Sequence, residues 1–324
     1  MGKKIDEKIF VEVNGDRQGM FLQGEDKDNP VLLFLHGGPG SPEIAFTQKH
    51  PTGLDKLFTV CWWEQRGCGI SYRKDTPKET MTVDQMIADA IAVAEYLRRR
   101  FGKEKIYLMG HSWGSVLGVL TVQKAPELFY AYIGMGQVVR QLESERLAYA
   151  YMVQEFGNAG NRGMVRKLKK FPIDQGAEVT NRYLAVRSLG MTKLGIGIMH
   201  HSLSMAEPVM TILRYKGYSW RERLNFAKGS LFSLNCLWDS VLQTDFVRQV
   251  PRLEVPVYVL QGRYDYQVSY VLAKGFVEAV EAPVKGFYTF WDSAHSPCFE
   301  EPEKMIGILR EDVLRGEAVM ADIV

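Results

Sequence analysis

Gly110-His111-Ser112-Trp113-Gly114 follows the apolar run Ile106-Tyr107-Leu108-Met109 and precedes a helix-forming stretch from Ser115 onward. Gly-x-Ser-x-Gly at the end of a strand gives a serine the setting of a nucleophile. The two glycines lack the side chains that would collide in a sharp strand-to-helix turn, so the hydroxyl projects from the sheet. The same turn opens a helix, whose unpaired N–H groups can hold a developing negative charge. The chemistry that suits this arrangement is acyl transfer, with the hydroxyl attacking a carbonyl to form an acyl-enzyme.

A serine hydroxyl is a poor nucleophile until a base takes its proton and an acid orients that base. The six histidines are His36, His50, His111, His200, His201 and His295. His295, in Asp292-Ser293-Ala294-His295-Ser296-Pro297, follows a strand-like run ending near Trp291 and is the expected base. His36 and His111 lie within glycine-containing turns and are expected to support backbone geometry. His200 and His201 are expected to be structural or pocket-lining. Asp265, in Gly262-Arg263-Tyr264-Asp265, closes the strand Val257 to Leu260 and is the expected orienting acid. Asp292 competes for that role, but its short separation from His295 suits it to shaping the loop. The order Ser112, Asp265, His295 is that of the α/β-hydrolase triad and differs from the chymotrypsin and subtilisin orders.

The oxyanion formed by attack needs donors already in place, and losing one costs on the order of 3 kcal/mol of barrier. The Trp113 N–H, next after the serine, is one expected donor. Gly38 of His36-Gly37-Gly38-Pro39-Gly40 is the other, with Gly37 as the alternative.

These residues need a frame that brings them to one edge. Residues 8 to 24 alternate apolar and polar around Asn14-Gly15-Asp16, which predicts a hairpin. Val31 to Leu35, Phe58 to Trp63, Ile106 to Met109, Tyr130 to Met135, Val257 to Leu260 and Phe287 to Phe290 read as buried strands. Helices are expected from Thr82 to about Phe101, from the serine turn to about Lys124, over 269–280 and over 301–315. Thr82 with Gln85 three residues on has capping-box spacing. Alternation of this kind predicts an α/β fold with a mostly parallel sheet and helices on both faces. From 139 to 248 the strand-like runs stop, and Met, aromatic and basic residues recur at helical spacing. This stretch holds 16 Lys and Arg against 9 Asp and Glu, so it is basic while the remainder is acidic. It reads as a helical cap inserted over the carboxyl ends of the strands. The expected organisation is therefore core 1–138, cap 139–248 and core 249–324.

With 324 residues and a formal charge of +2, the chain can build a large core and carries no global signal for nucleic acid. Cys61, Cys68, Cys236 and Cys298 form no Cys-x-x-Cys pair, which suits reduced thiols in a cytoplasmic protein. The N-terminal residues are charged, and no window approaches the roughly 18 apolar residues of a membrane span. Neither Gly-x-Gly-x-x-Gly nor a metal-ligand spacing occurs, so no cofactor and no metal are expected. The expected partner is a small-molecule or short-peptide substrate; no oligomeric state follows.

Three segments carry a resemblance to the prolyl aminopeptidase (proline iminopeptidase) family of α/β-hydrolases: His36 to Gly40, Glu64-Gln65-Arg66-Gly67-Cys68-Gly69, and Gly110 to Ser115. It spans about 8–137 and 250–315. The second segment carries Glu64 where the family has Asp, and the elbow carries His111 where the family usually has glycine. The resemblance implies a Ser112–Asp265–His295 triad, a helical cap and release of N-terminal proline or a similar residue from short peptides. Such peptidases bind the substrate ammonium with cap acids, for which Glu207 and Glu222 are candidates and Asp239 a third. The Met- and aromatic-rich, basic cap favours as an alternative a carboxylesterase or other acyl hydrolase. A non-catalytic ligand-binding protein on the same fold is the second alternative.

Overall fold

The computed structural model describes residues 3–173, 179–201 and 207–324. Its strands are β1 Ile5–Val13, β2 Asp16–Gly24, β3 Val31–Leu35, β4 Thr59–Glu64, β5 Ile106–His111, β6 Phe129–Met135, β7 Val257–Gly262 and β8 Lys285–Phe290. They form one sheet in the order β1-β2-β4-β3-β5-β6-β7-β8. The β1–β2 hairpin turns through Asn14 (φ 48°) and Gly15 (φ 74°), a left-handed pair that Asn-Gly accommodates readily. β2 is antiparallel to β1 and β4, and every pairing from β4 to β8 is parallel. Parallel pairing puts the carboxyl ends of β4, β3, β5, β6, β7 and β8 on a single edge, where ligands bind in open α/β sheets.

Burial on both faces explains the continuous apolar runs. In β3, Leu33 and Leu35 join a core with Val93, Leu97 and Leu117, while Leu32 and Phe34 join a second with Leu54, Met305 and Leu309. Each such side chain contributes about 1.5–3 kcal/mol when fully buried. The helices supplying the first face are α1 Val83–Phe101 and α2 Trp113–Lys124.

α1 begins where the sequence predicts: the Thr82 hydroxyl accepts from Gln85 N–H at 3.2 Å. The Gln85 side chain does not close a capping box; it donates to Asp89 at 2.8 Å. Asp89 is buried and gathers Gln85, Gln18, Asn14 and Arg66, so its charge outcompetes the local cap. α2 starts at Trp113, two residues earlier than the stretch from Ser115.

Between β6 and β7 the described residues form helices and no strand: α3 Gln141–Asn158, α4 Arg162–Leu168, α5 Asn181–Leu194, α6 Glu207–Arg214 and α7 Trp220–Leu242. α7 lies directly on the loops that follow β3 and β4. Ser230 Oγ donates to Gly40 O at 2.6 Å and Ser233 Oγ to Gly67 O at 3.2 Å. A side chain at Gly229 would meet the Cys68 backbone at 2.9 Å, so α7 fits there only with glycine. After β7 come α8 Tyr270–Ala279 and, beyond β8, α9 Pro302–Glu311. The basic run Arg166, Lys167, Lys169 and Lys170 is exposed on and just beyond α4, with Met164 and Leu168 turned inward.

Candidate active site

Ser112 stands at the junction of β5 and α2 with φ 55° and ψ −120°. Asn14 is the other described non-glycine residue with positive φ, and it lies in a hairpin turn. A non-glycine backbone held there costs on the order of 1–3 kcal/mol and persists only where its surroundings over-determine it. Those surroundings are visible. Ser112 N–H donates to Met135 O at 3.0 Å, and Ser112 O accepts from Ser115 N–H at 2.8 Å and Ser115 Oγ at 2.6 Å. A Cβ at Gly110 would fall 2.2 Å from Gly114 O, and one at Gly114 would fall 1.9 Å from Leu35 O. Both flanking glycines are therefore required by backbone approach.

The tertiary fold brings Asp265 and His295 together from the ends of β7 and β8. His295 Nδ1 lies 2.8 Å from Asp265 Oδ2, and both side chains are buried. A carboxylate can only accept, so Nδ1 carries the proton and Nε2 is left as an acceptor. Asp265 is itself fixed by Gln261 Nε2 at 2.8 Å, Gln267 N–H at 2.9 Å and Val268 N–H at 3.1 Å. Asp292 is exposed, and its backbone N–H donates to Glu301 at 3.1 Å.

Two cavities adjoin at Ser112. One, of about 550 Å³, is bordered by Gly38, Ser112, Trp113, Gln141, Arg187 and Trp238 among others. The other, of about 260 Å³, is bordered by Gly37, Glu43, His111, Ser112, Met191 and His295 among others. Ser112 and His295 thus face common space without a hydrogen bond between them, a contact that often tightens only once substrate is seated.

The loop after β3 lies against the serine. Gly38 has φ 115°, and a Cβ there would meet Gly40 N at 2.5 Å. Gly37 N–H points to Glu43 Oε1 at 3.4 Å, which leaves Gly38 as the better placed of the two. His36 fastens this loop to the next. Its Nδ1 bonds Gly37 O at 2.9 Å, while Nε2 accepts from Gln65 N–H at 3.2 Å. Burial pushes His36 down from 6.5 to about 4, so it stays neutral. Gln65 also accepts from the Trp113 indole at 2.9 Å, tying the elbow to both loops. Cys68 donates to Gln65 O at 3.0 Å, and burial pushes its thiol well up, as in a structural cysteine.

The remaining expected residues lie elsewhere. Glu207 binds Lys49 and His50 and borders a separate surface cavity. These hydrogen bonds, from Lys49 first, hold its carboxyl below the usual range. Glu222 caps α7 in a capping box with Ser219 and pairs with Lys8 at 2.6 Å. Asp239 borders a third cavity with Phe171 and Arg182. None of the three borders the cavities at Ser112. The backbones of His200 and His201 donate to Glu300, which also holds Ala294 N–H at 2.8 Å beside His295.

Four residues at the site lack a readable sequence signal. Glu43 reads as a solvent-side acid before a short helix, and Arg187, Gln267 and Gln141 as ordinary helix or loop polars. Arg187 borders both cavities and pairs with the buried Glu145 at 2.7 Å, with Gln267 O at 3.2 Å.

Comparison with known proteins agrees with this fold. Residues 30–302 match the α/β-hydrolase fold family, and the chain belongs to it. The protein is a hydrolase of that fold. Its relatives include the probable aminopeptidase YbaC of Bacillus subtilis, 33% identical over 90% of this chain and 91% of that protein. The proline iminopeptidase of Saccharolobus solfataricus is 27% identical over 87% of this chain and 84% of its own length. Among solved structures, proline iminopeptidase from Mycobacterium smegmatis superposes with a TM-score of 0.65 at 16% identity, covering 95% and 98% of the two chains. Among the described residues no helix is long and apolar enough to cross a membrane.

Proposed function

We propose that this protein is a serine hydrolase that forms an acyl-enzyme on Ser112 and releases N-terminal proline or a similar residue from short peptides. The observation that carries this reading is the Asp265–His295 bond at 2.8 Å, on a cavity shared with a serine held at φ 55°. In the proposed cycle Ser112 Oγ attacks the scissile carbonyl as His295 Nε2 takes its proton. Asp265 holds the imidazole and stabilises the imidazolium. The N–H groups of Gly38 and Trp113 receive the oxyanion. His295 then protonates the leaving amine, and a water attacks the acyl-enzyme with His295 again as base. The names of the aminopeptidase relatives support the peptide substrate. In this reading residues 139–248 act as the cap, contributing α3, α5 and α7 to the cavity walls. Free cysteines, three of them buried, suit a cytoplasmic setting.

One observation favours a second reading, hydrolysis of an ester or other acyl substrate. The cap carboxylates Glu207 and Glu222 are engaged with Lys49, His50 and Lys8, and the larger cavity is lined by Leu184, Leu231, Leu234 and Trp238. Purified protein assayed in parallel on a proline arylamide and a short-chain acyl ester separates the two. Turnover of the arylamide with kcat/KM at least comparable to the ester is expected. Ester turnover alone would reject the aminopeptidase reading.

A further inference from the structure

His111 occupies the variable position of the elbow Gly110-His111-Ser112-Trp113-Gly114. Its ring is buried and doubly bonded: Nδ1 lies 2.5 Å from Glu43 Oε1 and Nε2 lies 2.7 Å from the backbone oxygen of His295. A carbonyl oxygen can only accept, so Nε2 carries a proton. The Nδ1 contact then needs a second proton between imidazole and carboxylate. The rings of His111 and His295 lie 4.7 Å apart at 40°. The His295 N–H is taken by Gly197 O at 3.2 Å, so every polar group of the expected base except Nε2 is engaged.

We infer that Glu43 and His111 are a positioning pair for the catalytic base, a partly buried carboxylate and a buried imidazolium that hold the backbone carbonyl of His295. The inference rests on the reading of His295 as general base. One strand end would then fix both partners of the proton transfer: Ser112 through the elbow turn and His295 through the ring one residue before it. The pairing also controls charge. When His295 takes the serine proton, a second cation 4.7 Å away would oppose it; Glu43 offsets that cation. Burial alone would lower the His111 pKa, but Glu43 and the His295 carbonyl outweigh it and raise the value. The titratable groups facing His111 are Glu43 from the loop after β3, Asp265 after β7 and His295 after β8. Cys298, pushed well up by burial and then by Glu43, stays a neutral thiol there.

The test combines imidazole ¹⁵N NMR with pH profiles of kcat on a neutral acyl ester. In the wild type, both His111 nitrogens should be protonated at pH 7, and kcat should fall on the alkaline side as that proton is lost. Glu43→Gln should return His111 to a neutral ring and move the alkaline limb down by about 1 pH unit or more. It should also lower kcat about tenfold with KM within about twofold, because the charge that strengthens the bond to the His295 carbonyl is lost. His111→Gly should remove the limb; if that variant does not fold, Glu43→Gln carries the test alone. A neutral His111 in the wild type, or an unchanged limb and kcat in Glu43→Gln, overturns the inference. A wild type that hydrolyses neither ester nor arylamide overturns the hydrolase reading and the positioning role with it, while the ionisation of His111 is read independently by NMR.

Discussion

The sheet edge and the helical segment between β6 and β7 use charge in opposite ways. On the edge, polar groups converge: Ser112, His295, Asp265, Glu43 and His111 come from four loops and are held by one another and by backbone. In the helical segment, charged groups turn toward structural partners. Glu222 spans to Lys8 on β1, Glu207 to Lys49 and His50, and Glu145 to Arg187. Arg187 is the charged side chain from these described helices that borders both cavities at Ser112, and its partner is buried. The edge thus gathers the polar groups around Ser112, while the helices shape the space above it. A carboxylate in an inserted helix is not thereby a substrate ligand; its neighbours decide.

The largest effects should come from the edge. Ser112→Ala should abolish fluorophosphonate labelling and lower kcat by on the order of 10⁵-fold or more, and Asp265→Asn by about 10⁴-fold. Labelling that survives Ser112→Ala would remove the contrast at its root.

Next is the pair that joins the helical segment to the cavities. Arg187→Leu leaves Glu145 buried with its remaining contacts to Gln141 and Tyr183 but without a cation. Breaking a buried pair from one side costs about 3–5 kcal/mol, which urea unfolding would register as a lower midpoint. The double variant Arg187→Leu/Glu145→Leu should recover much of that loss. If the single variant costs less than about 1 kcal/mol, the pair does not anchor these helices.

A smaller effect concerns the loop beside the serine. Below pH 6.5 the unfolded chain protonates His36, while the folded protein resists down to about 4. Stability from this group is complete above pH 6.5 and is lost as pH falls toward 4, by at most about 1.4 kcal/mol per unit. His36→Asn should flatten that part of the stability–pH curve relative to wild type in urea melts at stepped pH. Equal slopes would mean that His36 titrates normally in the fold.

The smallest effects are expected for Glu207→Gln and Glu222→Gln. Each loses an ion pair with partly exposed partners, worth about 0–1 kcal/mol, and Glu222 also loses half of a capping box. Amide kcat/KM should stay within about twofold of wild type. A rise of tenfold or more in KM for an aminoacyl substrate would make these acids ammonium ligands and reverse the comparison.

The strands were legible because burial on both faces leaves unbroken apolar runs, as in Val31 to Leu35. The hairpin was legible because Asn14-Gly15 tolerates left-handed backbone where few other pairs do. That Ser112, Asp265 and His295 would come to one edge was legible because each follows a strand of a parallel sheet. Element ends were less so. Gln85 had a choice between its own helix terminus and a buried aspartate, and only packing put Asp89 within its reach.

The sequence by itself determined the α/β-hydrolase fold, the elbow at Ser112 and the residues expected to serve it, since these follow from local periodicity and glycine geometry. Only the tertiary structure decided that Glu43 meets His111, that Arg187 reaches the cavities already paired, and that Glu207 and Glu222 are turned to Lys49 and Lys8. The reason is physical: a carboxylate's role depends on which cation or N–H lies within about 3 Å. Those neighbours are 68 residues away for Glu43, 42 for Glu145 and 214 for Glu222, beyond any local pattern.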